Sequence, residues 1–242
     1  MTAAIELRGV SASYGTVPVL SGIDLEVASG ETVAVVGRSG CGKTSLLRAI
    51  AGLLATSEGT VRVLGGSPHE AQRRKRIGLV VQDARLHAWL SVLENVELPL
   101  RVNPVPPRDA RASPRDWIER LGLGSAMDRY PHELSGGMRQ RVALARSLVI
   151  APDVLLMDEP LASLDELTRE DLRAELLRLW DATDAGVVYV THDLAEAVLL
   201  ADRVVVLAGP PARIAGTVAI ELPRPRPHRP TADPRILRTV ES

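Results

Sequence analysis

The sequence predicts an α/β domain: a mixed sheet flanked by helices, with an antiparallel β-subdomain at its start and a helical subdomain inserted into it. Three observations carry that prediction. A short β-branched run, Thr32 to Val36, leads directly into a glycine-rich loop and then a helical pattern. A second apolar run, Val154 to Met157, ends in two acids and suits a buried parallel strand. Between them, from about 83 to 150, prolines and helix-start signals replace strand texture. A length of 242 residues accommodates one such domain with its insertion.

Each element has its own signal. Ile5 to Val10 and Val17 to Val27 read as β-segments punctuated by Tyr14-Gly15 and Ser29-Gly30. After the strand Thr32–Val36 and its loop, a helix is expected over Ser45 to Leu53, ending near Gly52. Strands follow at Thr60–Leu64 and Ile77–Gln82. In the insertion, Ser113 is a good N-cap, Pro114 fits the first helical position, and Gly122 can close that helix. Another helix follows Ser135. The core then resumes with Val154–Met157, the helix Leu167–Trp180, the strand Val187–Thr191, the helix Leu194–Leu200, the strand Arg203–Leu207 and a last strand near Arg213–Ile220. These bounds make 1–222 one domain. The tail 223–242, rich in Pro and Arg, is expected to have little regular structure.

Composition narrows the function. No run of about 18 or more apolar residues offers a membrane span, and the start MTAAIELRGVSASYG lacks a secretory pattern. A single cysteine, Cys41, fits a reducing compartment. A net charge of −1 gives no global basic excess for nucleic acid. Lysine occurs only at 43 and 75 in an arginine-rich chain, so the lysine of the glycine loop stands out. A compact ammonium fits a phosphate cradle better than a broad guanidinium.

The loop is GRSGCGKT: Gly37, Arg38, Ser39, Gly40, Cys41, Gly42, Lys43 and Thr44, with Ser45 following in the helix. Its glycines allow tight turning, so that backbone N–H groups can point at phosphate oxygens, and the helix adds the positive end of its dipole. Lys43 can reach the β- and γ-phosphates, and the Thr44 hydroxyl can ligate Mg²⁺. Cys41 reads as a small filler. VLLMDEP places Asp158 and Glu159 at the carboxyl edge of the sheet, where open α/β sheets bind ligands. Asp158 suits the shell of Mg²⁺, and Glu159 suits polarising a water for attack on the γ-phosphate.

With these motifs, LSGGMRQ at Leu134 to Gln140 makes the chain resemble the ATP-binding cassette family over nearly its whole length. The resemblance implies a P-loop NTPase core, ATP and Mg²⁺ as cofactors, and ATP hydrolysis. It implies that Ser135, Gly136 and Gly137 of one copy close over the ATP held by Gly37–Thr44 of another, in a homodimer or a pair with a similar cassette. By the same resemblance Gln82 touches Mg²⁺ and the attacking water, and His192 contacts the γ-phosphate. Asp165 lies in the loop that crosses the dimer, and Tyr14 stacks on adenine. Catalysis then rests on Glu159, His192 and Lys43, and the metal on Thr44, Gln82 and Asp158.

The wording WLSVLENV and the tail ELPRPRPHRP are similar to the nitrate, sulfonate and taurine importer ATPases. The usual LLPWL-like stretch is replaced around His87 and Ala88, and Leu161 and Ala162 stand where a phenylalanine is usual. In importers the segment Leu86–Val96 lines a groove for a permease helix. Trp89 and Leu90 are then contacts for it, the alternative being packing inside the helical subdomain. The implied protein is a peripheral ATPase on the cytoplasmic face of the inner membrane. Its partners are integral membrane permease subunits and, indirectly, a solute-binding protein, with no nucleic acid. An exporter or lipid-extracting ATPase is the runner-up; a soluble cassette acting on nucleic acid or ribosomes, and a non-hydrolysing binding module, are the alternatives of other classes.

Overall fold

In the computed structural model, residues 3–102, 113–162, 164–181 and 184–222 are described. The tail 223–242 and the expected proline cluster Pro104, Pro106 and Pro107 lie outside them.

Alternating burial builds the N-terminal sheet. Strands β1 (Ala3–Tyr14) and β2 (Val17–Ala28) reverse at Gly15, which takes φ 59°. Strand β4 (Thr56–Val63) pairs with the other edge of β1, giving the order β2-β1-β4 with antiparallel neighbours. Ile5, Leu7, Val10 and Ala12 of β1 face inward and are buried. The strands run longer than the segments Ile5–Val10 and Thr60–Leu64 suggest. Ladder pairing on both edges of β1 draws in Glu58, which has little strand preference of its own, together with Ser11 and Thr56.

The core sheet has the order β5-β6-β7-β3-β8-β9. Strands β3 (Thr32–Gly37), β5 (Ile77–Val80), β6 (Val154–Asp158), β7 (Gly186–Val190) and β8 (Arg203–Ala208) are parallel; β9 (Arg213–Ala219) closes the edge antiparallel to β8. Every residue of β6 and β7 is buried, as expected of strands covered on both faces. Val33, Val35, Leu156, Val188 and Val190 pack on one side with Leu46, Leu47 and Ile50 of α1 (Lys43–Ile50). Val36, Leu155, Met157, Val187 and Tyr189 pack on the other with α6 (Glu166–Asp181) and α7 (Leu194–Leu200). The period of two along each strand thus divides the molecule into two apolar layers. A short helix not expected from the sequence, α2 (Pro68–Arg73), starts at Ser67, whose hydroxyl accepts from Glu70 N.

The insertion is helical. Helix α3 (Val92–Arg101) opens with a reciprocal box between Ser91 and Glu94, and α4 (Pro114–Arg120) with one between Ser113 and Asp116. Gly122 follows α4 at φ 68°, the terminator the sequence suggests. Helix α5 (Gly136–Leu148) is capped by Ser135, which accepts from Met138 N at 3.2 Å. Val92, Val96, Trp117, Ile118, Leu121 and Val142 fuse the three helices to the core.

Candidate functional site

Parallel strands share a carboxyl edge, and four of them deliver the expected residues there. Strand β3 ends at Gly37 and the chain turns through Gly40 at φ 76° and Gly42 at φ 113° before α1 begins. A side chain on Gly37 would place Cβ 2.6 Å from Leu207 O, and one on Gly42 2.7 Å from Ala212 Cβ. Cys41 is buried as the filler of this turn, while Arg38, Ser39 and Gly40 form its exposed rim. Lys43 is buried. Its Nζ donates to Gly37 O at 2.8 Å and Arg38 O at 3.2 Å, and lies 3.9 Å from Glu159 Oε1. Ser45 is buried one residue beyond Thr44 on α1.

The acids come from β6. Thr44 Oγ1 donates to Asp158 Oδ2 at 2.7 Å. Burial pushes the Asp158 carboxyl above the ordinary aspartate range; the Thr44 hydrogen bond opposes this, the neighbouring Glu159 charge adds to it, and Lys43 lowers it. A divalent ion would favour the charged form further. A carboxylate and a hydroxyl are the hard oxygen donors that Mg²⁺ accepts alongside phosphate oxygens, so these two residues could hold it. Glu159 sits in the left-handed region at φ 46°, with its N–H donating to Val190 O at 3.0 Å. A non-glycine residue held there marks a constrained position at a strand end. Its Oε2 is 3.2 Å from His192 Nδ1, on the loop after β7.

Lys43, Thr44, Asp158, Glu159 and His192 therefore form one bonded constellation. The remaining expected residues stand apart from it. Strand β5 stops at Val80, not at Gln82, because the chain leaves the sheet before Val81; Gln82 is exposed beyond the edge. Tyr14 ends β1, is 43% exposed, and its hydroxyl accepts from Arg48 Nη1 at 3.0 Å. Asp165 caps α6 by accepting from Thr168 N at 3.0 Å. Ser135 and Gly136 are exposed at the start of α5. Among the described residues neither they nor Gly137 hydrogen-bonds to the glycine loop. A cleft of about 490 Å³ between Arg62, Arg76 and Asp153 lies at the opposite edge of the sheet. A cavity of about 50 Å³ touches Glu159 and His192. A cradle open on one side encloses little volume by itself, so the chemistry outweighs the cavity size here.

Two positioning side chains escape the sequence reading. Asn95 is fully buried and Arg146 half-buried. Asn95 has a visible signal: it shares the buried stripe Val92-Asn95-Val96, and a polar residue on an apolar stripe of a helix asks for partners.

A strand–glycine loop–helix cradle, with an acid pair on a nearby parallel strand and a histidine beside it, defines a nucleoside triphosphate hydrolase. The model for "ABC transporter" matches residues 20–162, and the chain belongs to that family as an ATP-binding, ATP-hydrolysing cassette. It is 48% identical to an aliphatic sulfonates import ATP-binding protein of Ralstonia nicotianae, covering 93% of this chain and 76% of that one. It is 47% identical to a protein of the same description from Xanthomonas axonopodis pv. citri, over 92% and 73%. It is 44% identical to a bicarbonate transport ATP-binding protein of Synechocystis, over 86% of this chain and 31% of that one. Among solved structures, a dimeric ATP-binding cassette in a post-hydrolysis state with ADP and Pi superposes with a TM-score of 0.78, at 29% identity, covering 90% of this chain and 99% of that one. Among the described residues, no helix is long and apolar enough to cross a membrane.

Proposed function

We propose that the chain is the ATPase subunit of an uptake transporter for a small anion such as nitrate, a sulfonate or taurine. It works as a head-to-tail pair of cassettes on permease subunits at the cytoplasmic face of the inner membrane, with a solute-binding protein as an indirect partner. The observation that carries this reading is the split between two anion-facing surfaces. The loop Gly37–Thr44 gathers Lys43, Asp158, Glu159 and His192, while among the described residues the helix start with exposed Ser135 and Gly136 bonds to none of them. Two half-sites that do not meet within one chain call for a second copy, and a similar cassette is a dimer with ADP and Pi.

In this reading the backbone of Gly37–Thr44 and Lys43 hold the β- and γ-phosphates. Thr44, Asp158 and Gln82 hold Mg²⁺, which supplies charge neutralisation at the phosphates when bound. A Glu159 carboxylate oxygen accepts the proton of the attacking water, and His192, 3.2 Å away, fixes that carboxylate and faces the γ-phosphate. Ser135, Gly136 and Gly137 of the partner copy cover the same phosphates, Asp165 lines the crossing, and Tyr14 offers an exposed ring to adenine.

Import of a small anion is supported by the relatives, whose names include aliphatic sulfonates import, sulfate/thiosulfate import and bicarbonate transport. Docking on a permease is supported by Trp89, which is 73% exposed and so is not spent on internal packing. The test has two readouts. Hydrolysis per molecule should rise with protein concentration and collapse in Ser135→Arg; a rate independent of both refutes the paired site. A strain lacking this chain should lose uptake of labelled taurine, sulfonate or nitrate; unchanged uptake of all three refutes the solute class.

A further inference from the structure

The segment 81–91 has no regular secondary structure beyond turns and bends, yet it connects Gln82 to Trp89. Two side chains from the helical insertion hold it. Arg146, on α5, donates from Nη2 to Ala84 O at 2.8 Å and from Nη1 to Arg85 O at 3.1 Å. Asn95, on α3, donates from Nδ2 to His87 O, Leu90 O and Ser91 O at 3.1, 2.9 and 2.9 Å, and accepts from His87 N at 2.9 Å. The two N–H groups of the Asn95 amide are thus shared among three carbonyls, and its oxygen accepts one bond.

The Arg146 arrangement is unusual for a half-buried cation. Burial lowers the pKa of its guanidinium, and among the described residues no carboxylate opposes that effect. Two consecutive carbonyls take the place of an acid, at a point where the chain bends through Arg85 at φ 42°. A planar fork offers two separate, parallel donors to two neighbouring carbonyls, whereas an ammonium must reach both from a single atom, as Lys43 does at Gly37 O and Arg38 O. The helix that carries Arg146 is the one that begins at Ser135 and the exposed Gly136.

We infer that Arg146 is a positioning residue that locks the Gln82–Trp89 segment to α5, so that closure of a partner nucleotide over Ser135–Gly137 and movement of Trp89 occur as one event. The inference rests on the proposed roles of Gln82 and Ser135. Asn95 keeps the far half of the segment stiff, and Arg146 decides which helix it follows.

The experiment uses the purified full chain and acrylamide quenching of tryptophan emission. Trp89 is exposed, whereas Trp117 and Trp180 are buried, so the quenchable signal reports position 89 and disappears in Trp89→Phe. Mg·ATP should change the quenching of the wild-type chain. Arg146→Gln should lose most of that change, with KM within about twofold and kcat lowered by about tenfold, because ground-state nucleotide contacts are untouched. Arg146→Lys should recover part of it, and it is read alone if the glutamine variant does not fold. An unaltered Mg·ATP response in both variants overturns the inference. Gln82→Ala run in parallel separates the two readings. A silent Gln82→Ala beside silent Arg146 variants overturns the role given to Gln82 and the coupling with it; an effect in Gln82→Ala alone overturns the Arg146 clamp only.

Discussion

Replacing Glu159 by Gln removes a charge and a proton acceptor while leaving shape and backbone as they are. Glu159 holds φ 46°, a conformation that costs a side-chain-bearing residue about 1–2 kcal/mol. Gln carries that same cost, and the carboxylate it replaces lies a long 3.9 Å from Lys43, so folding stability should move by no more than about 1 kcal/mol. The N–H bond to Val190 O is a backbone bond and survives. Lys43 loses a carboxylate 3.9 Å away but keeps its bonds to Gly37 O and Arg38 O, so the cradle still binds nucleotide. What disappears is general-base assistance, which contributes about 10²–10⁴-fold, or about 2.7–5.4 kcal/mol of barrier. The expected protein binds ATP, forms a stable dimer and releases phosphate at least about a hundredfold more slowly. Phosphate release at saturating ATP, with urea unfolding as the control, measures both halves. Turnover within about tenfold of wild type would remove Glu159 from the role of base. Glu159→Gly is the complementary probe. It relieves the left-handed strain and should raise stability by about 1 kcal/mol while hydrolysis is lost, so strain and chemistry are read separately.

Lys43→Ala deletes the buried ammonium of the phosphate loop and should weaken ATP binding by about 1.5–3 kcal/mol, at least about a tenfold rise in Kd by calorimetry; an unchanged Kd contradicts the phosphate-loop assignment. Gly42→Ala drives a Cβ to 2.7 Å from Ala212 Cβ and 2.9 Å from Val19 O at a backbone angle of 113°. Strain and overpacking together predict a loss of about 2–6 kcal/mol in urea unfolding, and a midpoint equal to wild type refutes the steric argument.

The fold was legible where local chemistry and tertiary context agree. The strand–loop–helix at Gly37–Thr44, the caps at Ser113 and Ser135, and the all-apolar β6 each announce themselves through residues that have few other uses. Helix α7 matches its expected range Leu194–Leu200 because Asp193 caps its start and Ala201 leaves it in extended conformation. Boundaries were harder where pairing overrides composition, as in β4, which includes Glu58 and Gly59. Helix α2 is only six residues long and too short for periodicity to reveal. In the site, single residues with distinctive chemistry were legible, including Lys43, Asp158, Glu159 and His192. Their mutual geometry was not, since Thr44 and Asp158 are 114 residues apart in the chain yet share a hydrogen bond. Arg146 was invisible because its partners are backbone carbonyls, which every residue possesses.

Strands β5, β6, β7 and β3 lie side by side in one hydrogen-bonded sheet. Loops from three of them present the bonded reactive groups, so those groups cannot drift relative to one another without breaking ladders. The stretch separating β5 from β6 is free of that restraint. Such an architecture divides labour: the ladder-bound part acts as an anvil of fixed dimensions, while the inserted part is a handle whose length and grip the ladders leave unconstrained. Changes in the handle can then leave the anvil untouched.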